Sequence, residues 1–304
     1  MAFGLITYQD AGRREDLLDI IADVSPDDNP LSTMLGTTKA TQTNHEWLED
    51  YLSRPTAVSA AVEGAAATYS DLTAPSRRNN IIQKIDVTFR VSGTERAVSV
   101  AGTADPYDYQ ASKALRDWKN NLEYSLLRGA VASGASGVAR QMAGVQAIVT
   151  SHYTARNSGT SLSETELNAM VYDVATDVGT QDVFDMVLTT LQLRQKISTF
   201  TAGNTKYVDA SEKKLTRKVM VYESDFNVMR IFGHKDVTSA AATPGPQVLG
   251  LKEDAWKIAY LRKPQRIDLA KDGDRDNGMI TGEATLEFRA ERANARRSGY
   301  NQTG

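Results

Sequence analysis

One run limits the folds open to this chain more than any other: DPYDYQASKALRDWKNNLEYSLLRGAV, from Asp105 to Val131. Asp105 is an N-cap residue, and Pro106 follows at the first helical position, where a missing N–H costs nothing. Ala111, Leu115, Trp118, Leu122 and Leu126 recur at three- and four-residue steps, which sets them on one side of a helix. Lys113, Arg116, Asp117, Lys119, Glu123 and Arg128 occupy the other faces, and no glycine intervenes before Gly129. A helix of this length is about 40 Å long, enough to cross a domain. The pattern predicts a spine against which β segments from both chain ends are laid, with Trp118 and Leu122 turned to that sheet.

Before the spine, Arg13 to Val24 reads as a short helix with a broad apolar stripe of Leu17, Leu18, Ile20, Ile21 and Val24, stopped by SPDDNP. Three turns alone are marginal in water, so this helix is expected to dock on its own domain or on another copy. From Thr43 to Val91 the pattern predicts a two-stranded excursion. TNHEWLEDYLS is its outgoing arm. Ile81, Ile85, Val87, Phe89 and Val91 alternate with Ile82, Lys84, Asp86, Thr88 and Arg90 in the return arm. The tip between them has seven alanines from Ala57 to Ala74 and is bracketed by Pro55 and Pro75. Two arms of about twelve residues would carry it roughly 40 Å from the body. A tip with so little core is expected to lie on a partner.

Beyond the spine, SGASGVARQMAG reads as a flexible connector into a strand, VQAIV, and HYTARNSGTS as a polar link. Ser163 and Glu166 form a capping box for a helix. VFDMVLTT is expected as a buried strand, LQLRQKISTF as a helix, and KLTRKVMVYES and DFNVMRIFG as strands. AWKIAYL is expected to pair with PQRIDLAK. After DGDRDNG, Ile280, Ala284, Leu286, Phe288 and Ala290 alternate with polar residues, with Gly282 in the apolar register, as in a half-buried strand. The order of elements points to an α+β fold.

Composition excludes several function classes. The 304 residues contain no cysteine, which removes disulfides and thiolate chemistry, and the net charge of −3 offers no global basic field for nucleic acid. No basic-then-apolar leader and no membrane span is readable, so a soluble, intracellular protein is expected. His45, His152 and His234 lack metal-ligand spacing. Asp272, Asp274, Asp276 and Glu283 fall at positions one, three, five and twelve of a calcium loop. Asn277 replaces its required glycine, and the flanks alternate like strands, so a hairpin turn is the expectation and these four are weak metal candidates. Arg289, Arg292, Arg296 and Arg297 read as a solvated basic patch. No catalytic residue or cofactor is predicted, and a projecting hairpin with a docking helix suggests a lattice subunit.

NPLSTMLGTTKATQTNHEWLEDYL, VEGAAATYSDL, VSGTERAVSVAG, ARQMAGVQA and LRKPQRIDLAKDGDRDNGMITGEATLEFRAERANA occur in an order and spacing that resembles a family of tailed-bacteriophage major capsid proteins. The resemblance covers most of the chain, most densely from Asn29 to Gly144 and from Trp256 to Ala295. It implies the capsid fold shared by tailed phages, encapsulins and herpesvirus floor domains. The implied divisions are an N-terminal arm (1–42), an E-loop (43–92), a P-domain containing the spine (93–140 and 251–304) and an A-domain (141–250). It also implies hexamers and pentamers in an icosahedral virion shell around double-stranded DNA, assembled in the bacterial host cytoplasm. Portal, scaffolding and decoration proteins are its implied partners, without a membrane or sequence-specific DNA binding. Leu17, Ile21, Glu63, Tyr69, Arg77 and Arg78 are the expected intersubunit contacts. An encapsulin-like compartment, another phage structural protein and a metal-dependent enzyme on the Asp272 turn are the alternatives.

Overall fold

A computed structural model describes residues 29–50, 58, 60, 62–64, 66, 74–98, 105–200, 221–224, 226–237 and 245–301, with side chains 157–159 apart. The predicted helix Arg13–Val24 lies outside these residues, as do most of the hairpin tip and KLTRKVM. In chain order the first elements are α1 (Pro30–Met34), β1 (Gly36–Lys39), β2 (Asn44–Glu49), β3 (Ser76–Ile81), β4 (Gln83–Ser92), α2 (Gly93–Ala97) and α3 (Pro106–Arg128). The central part holds α4 (Val145–Ile148), β5 (Tyr153–Thr160), α5 (Glu164–Val178), β6 (Met186–Thr189), α6 (Leu191–Phe200), β7 (Val221–Glu223) and β8 (Val228–Gly233). β9 (Gln247–Leu251), β10 (Trp256–Leu269), β11 (Arg275–Phe288) and β12 (Ala295–Tyr300) close the chain.

The spine forms as its pattern requires. The Asp105 carboxylate accepts from the Tyr107 N–H at 2.9 Å, and Pro106 opens the helix. Ala111, Trp118, Leu122 and Leu126 are buried, but Leu115 is 37% exposed, because that flank of the helix faces a groove rather than the sheet. The chain leaves α3 through two glycines in backbone contact. The Gly144 N–H donates to the Gly129 carbonyl at 2.9 Å, and a Cβ on Gly129 would lie 2.4 Å from the Met142 carbonyl oxygen. The intervening connector is a tight turn-back, bridged at Ala132–Gln141 and Ala135–Val138, and VQAIV opens α4 rather than a strand.

The strands form three sheets. The first has the order β1-β10-β11-β4, the second β5-β12-β9-β6-β8-β7, and the third is the β2–β3 hairpin. HYTARNSGTS supplies β5, a sheet-edge strand rather than a link, since β12 offers it a parallel partner. AWKIAYL and PQRIDL do not pair. They are one continuous strand, β10, bent by register shifts near Arg262 and Pro264, and their shared partner is β11. β4, expected in the excursion, pairs with β11 from Ser92–Arg275 to Gln83–Ala284 and so belongs to the first sheet, while β12 crosses back into the second.

One core joins the first sheet, α3 and the inner face of the second, taking in Trp118, Leu122, Leu286, Trp256, Met186 and Leu249. A second fills the space between the second sheet and α5, around Met170, Val174, Phe184 and Ile231. β11 departs from the half-buried expectation. Ile280, Ala284 and Leu286 bury one face, but Thr281, Glu283, Thr285 and Glu287 on the other are also 7% exposed or less. Those polar side chains are covered because β10, β4 and the hairpin base each give them a partner.

Candidate assembly surfaces

The hairpin is shorter than predicted and is bolted at its base. β2 and β3 pair over Asn44–Ile81 to Glu49–Ser76, about 20 Å of strand. Alternation turns His45, Trp47 and Glu49 inward. His45 Nε2 lies 3.0 Å from Glu287 Oε2, and Arg289 Nε donates to Glu287 Oε1 at 2.7 Å. Burial raises the Glu287 pKa, but the hydrogen bonds and charges of His45 and Arg289 outweigh it and hold the carboxyl below its ordinary range. The Trp47 ring meets Phe288 edge-on at 4.9 Å. Glu49 accepts from Arg78 Nε at 2.8 Å and from the Glu291 N–H. Asn80 is fully satisfied: it donates to the Ala143 and Leu286 carbonyls and accepts from the Ala143 N–H. Thr285 Oγ1 donates to the Ile81 carbonyl.

Toward the tip this cover ends. Val58 and Val62 are 96% and 80% exposed, and Glu63 is exposed beside them. Arg77 and Arg78, expected to pair across subunits, make pairs inside the hairpin, with Glu46 at 3.4 Å and Glu49 at 2.8 Å. Leu17, Ile21 and Tyr69 lie outside the described residues.

A second anchor holds the chain where it enters the described region. Glu123, buried on α3, accepts from the Leu31 and Ser32 N–H groups at 2.9 and 2.8 Å, while Asn29 donates to Asn120. His234 accepts the Asp236 N–H at Nδ1 and so presents Nε2 to Glu123 at 3.9 Å. Burial pushes the Glu123 carboxyl up, against the pull of the two N–H groups and the imidazole. The helical pattern assigned Glu123 to a polar face, and nothing local marks it, because its partners are about 90 residues away. Asn80 and Glu287 escaped for the same reason.

The four metal candidates do not converge. Asp272 and Asp274 belong to the β10–β11 turn, where Gly273 takes φ +68°, and Asp276 pairs with Lys271 and Arg96. Glu283 sits seven residues further along an extended strand, roughly 23 Å away, and pairs with Arg262. Among the described residues no three His, Asp or Glu side chains gather as a metal site. The basic C-terminal patch is solvated only in part: Arg289 and Arg292 are exposed, whereas the other two arginines are not. Arg297 is buried, donating to Glu166 and Asp173, and Arg296 stacks over Tyr153. No helix among the described residues is long and apolar enough to cross a membrane.

A spine helix packed on a four-stranded sheet, a second mixed sheet and a hairpin bolted to the first make up the described architecture. Residues 5–301 match the model of the SU10 major capsid protein family. The chain belongs to that family. The major capsid protein of Escherichia phage Phieco32 is 23% identical over 93% of each chain. Among solved structures, the capsid of a native GTA particle is similar with a TM-score of 0.69 at 9% identity, covering 98% of this chain and 99% of its own. The holo-SrpI encapsulin complex of Synechococcus elongatus PCC 7942 gives 0.62 at 10% identity, covering 100% and 98%. At these identities the structures speak for the fold, which is that of tailed-phage capsids. This capsid protein is thus a structural component of the virion, and its task is to build a shell from copies of itself.

Proposed function

We propose that the subunit assembles into hexamers and pentamers of a closed icosahedral shell around double-stranded DNA, with the hairpin tip lying on a neighbouring copy. The observation that carries this reading is the contrast within the hairpin, bonded at its base yet with Val58 and Val62 uncovered. Weak contacts suffice when each subunit makes many of them at once. The division into arm, E-loop, P-domain and A-domain follows with three shifts: β1 from the arm and β4 from the E-loop join the P-domain sheet, and β12 joins the sheet of the A-domain. Portal and scaffolding proteins, with decoration proteins on the outside, complete the partners, assembly takes place in the host cytoplasm, and the subunit performs no catalysis. Deleting residues 57–74 tests the reading. The subunit should keep its circular dichroism and unfolding midpoint, yet electron microscopy should find no shells. Normal shells from the deletion would overturn the hairpin's role. The likeness to an encapsulin names the competing outcome: closed particles that hold a cargo protein and no DNA.

A further inference from the structure

The anchor of α1 and an open groove lie on one stripe of the spine. Leu127, Glu123, Lys119, Arg116, Ser112 and Asp108 recur along α3 at three- and four-residue steps and share a face. α1 covers the C-terminal half of that face through Glu123 and Asn120. Among the described residues, nothing comparable covers the N-terminal half. There α3 and the bend of β10 enclose a groove of about 440 Å³, whose walls include Ala111, Leu115, Pro264 and Ile280, with Asp108 and Arg266 at the rim. Leu115, an apolar residue in the core register of its helix, stands 37% exposed in it.

We infer that this groove seats the chain's own N-terminal segment, residues 13–24, as a helix running alongside α3. Three observations point to that occupant. The chain enters the described region at Asn29, bonded to Asn120, and Ser112 is only about 12 Å further up α3, within reach of the four residues between Val24 and Asn29. The stripe of Leu17, Leu18, Ile20, Ile21 and Val24 matches an apolar floor flanked by polar rims. The charges are complementary: residues 1–28 carry seven acidic residues against two arginines, while Lys113, Arg116 and Lys119 are exposed along that half of α3. The inference stands apart from where the hairpin tip docks.

The chain has no cysteine, which permits a clean crosslinking test on the purified full-length protein. Leu115→Cys combined in turn with Leu17→Cys, Leu18→Cys or Ile21→Cys should give, under mild oxidation, a disulfide within one chain in at least one pair. It reads as a monomer of altered mobility on a non-reducing gel. Val62→Cys with Leu115→Cys should stay reduced. Covalent dimers from the N-terminal pairs would assign the groove to a second copy, and a Val62 crosslink would assign it to the hairpin; either overturns the inference, as does failure of all three N-terminal pairs. A second measurement covers a misfolded double variant. Maleimide labelling of Leu115→Cys should accelerate at least tenfold when residues 1–24 are removed, while Val138→Cys, on an exposed turn, labels equally in both backgrounds. An unchanged Leu115→Cys rate would also overturn the inference.

Discussion

The spine helix and the hairpin cover opposite faces of the same strand, β11, by opposite means. Against α3 the contact is mainly apolar: Trp118 packs on Gly282, where a Cβ would come within 2.5 Å of the ring, and Leu122 and Ile280 continue the seam. Few hydrogen bonds cross it: Trp118 Nε1 donates to the Ile85 carbonyl of neighbouring β4, and the Tyr107 hydroxyl donates to the Asn277 carbonyl near the start of β11. Against the hairpin the contact is mainly polar, with Glu287 on His45, Thr285 on the Ile81 carbonyl, and Asn80 on the Leu286 carbonyl, beside one ring contact of Trp47 on Phe288. Apolar burial stabilises in proportion to area and tolerates small shifts. A buried polar contact is directional, modest in net gain, and costly once one partner is removed. The first face therefore specifies a permanent spine, and the second a register for a projecting arm.

The largest effect should come from the apolar face. Trp118→Ala removes a fully buried indole and should cost about 3–5 kcal/mol in denaturant unfolding, with loss of a folded subunit rather than loss of assembly alone. A cost below about 1 kcal/mol would mean that the spine is not packed as described. Glu287→Gln on the polar face should cost about 1–3 kcal/mol, because the largely covered His45 and the exposed Arg289 lose a charged partner that is itself buried. Hydrogen exchange should then quicken over residues 44–49 and leave α3 unchanged.

Acid should separate the two anchors. Glu287 is held below its ordinary value, so its contribution is present above the unfolded value near 4.5 and is lost as pH falls through the lower folded pKa. Glu123 is raised, so its contribution is complete below 4.5 and declines as pH rises through the higher folded pKa. On acidification from neutral, exchange at Leu31–Met34 should slow first, and exchange over Asn44–Glu49 should quicken only at lower pH. Both segments loosening together would show that the anchors do not titrate independently.

This division also explains what was legible in the sequence. Periodicity exposed α3 and the alternation of β4 and β11, because each needs only the residue's own neighbours in the chain. It placed β4 in the excursion and read β11 as half-buried, since what pairs with or covers a strand is decided by distant segments. The same limit applied to Arg297, whose partners Glu166 and Asp173 lie on α5 more than a hundred residues earlier. The Pro264 bend was read as a break between two strands, whereas β10 passes through it with a register shift and keeps the partner β11. The capsid family was legible from the order of short motifs, but its contact residues were not, because they are set by another copy of the chain.

The smallest effect on the subunit is expected from the two arginines beside the tip, and they sharpen the comparison between base and tip. Arg78 serves Glu49, whose side chain is only 2% exposed, so Arg78→Ala takes the guanidinium from a buried carboxylate that keeps the Glu291 N–H, and should cost about 1–2 kcal/mol. Arg77 meets Glu46 at 3.4 Å with both groups open to solvent, and Arg77→Ala should change subunit stability by about 0.5 kcal/mol or less. If the hairpin lies on a neighbour, the same substitution should still slow shell formation, followed by light scattering, and the defect should shrink as salt is raised and the lost charge matters less. Unchanged assembly kinetics at low salt would place Arg77 outside the intersubunit contact and leave the tip's apolar residues to carry it.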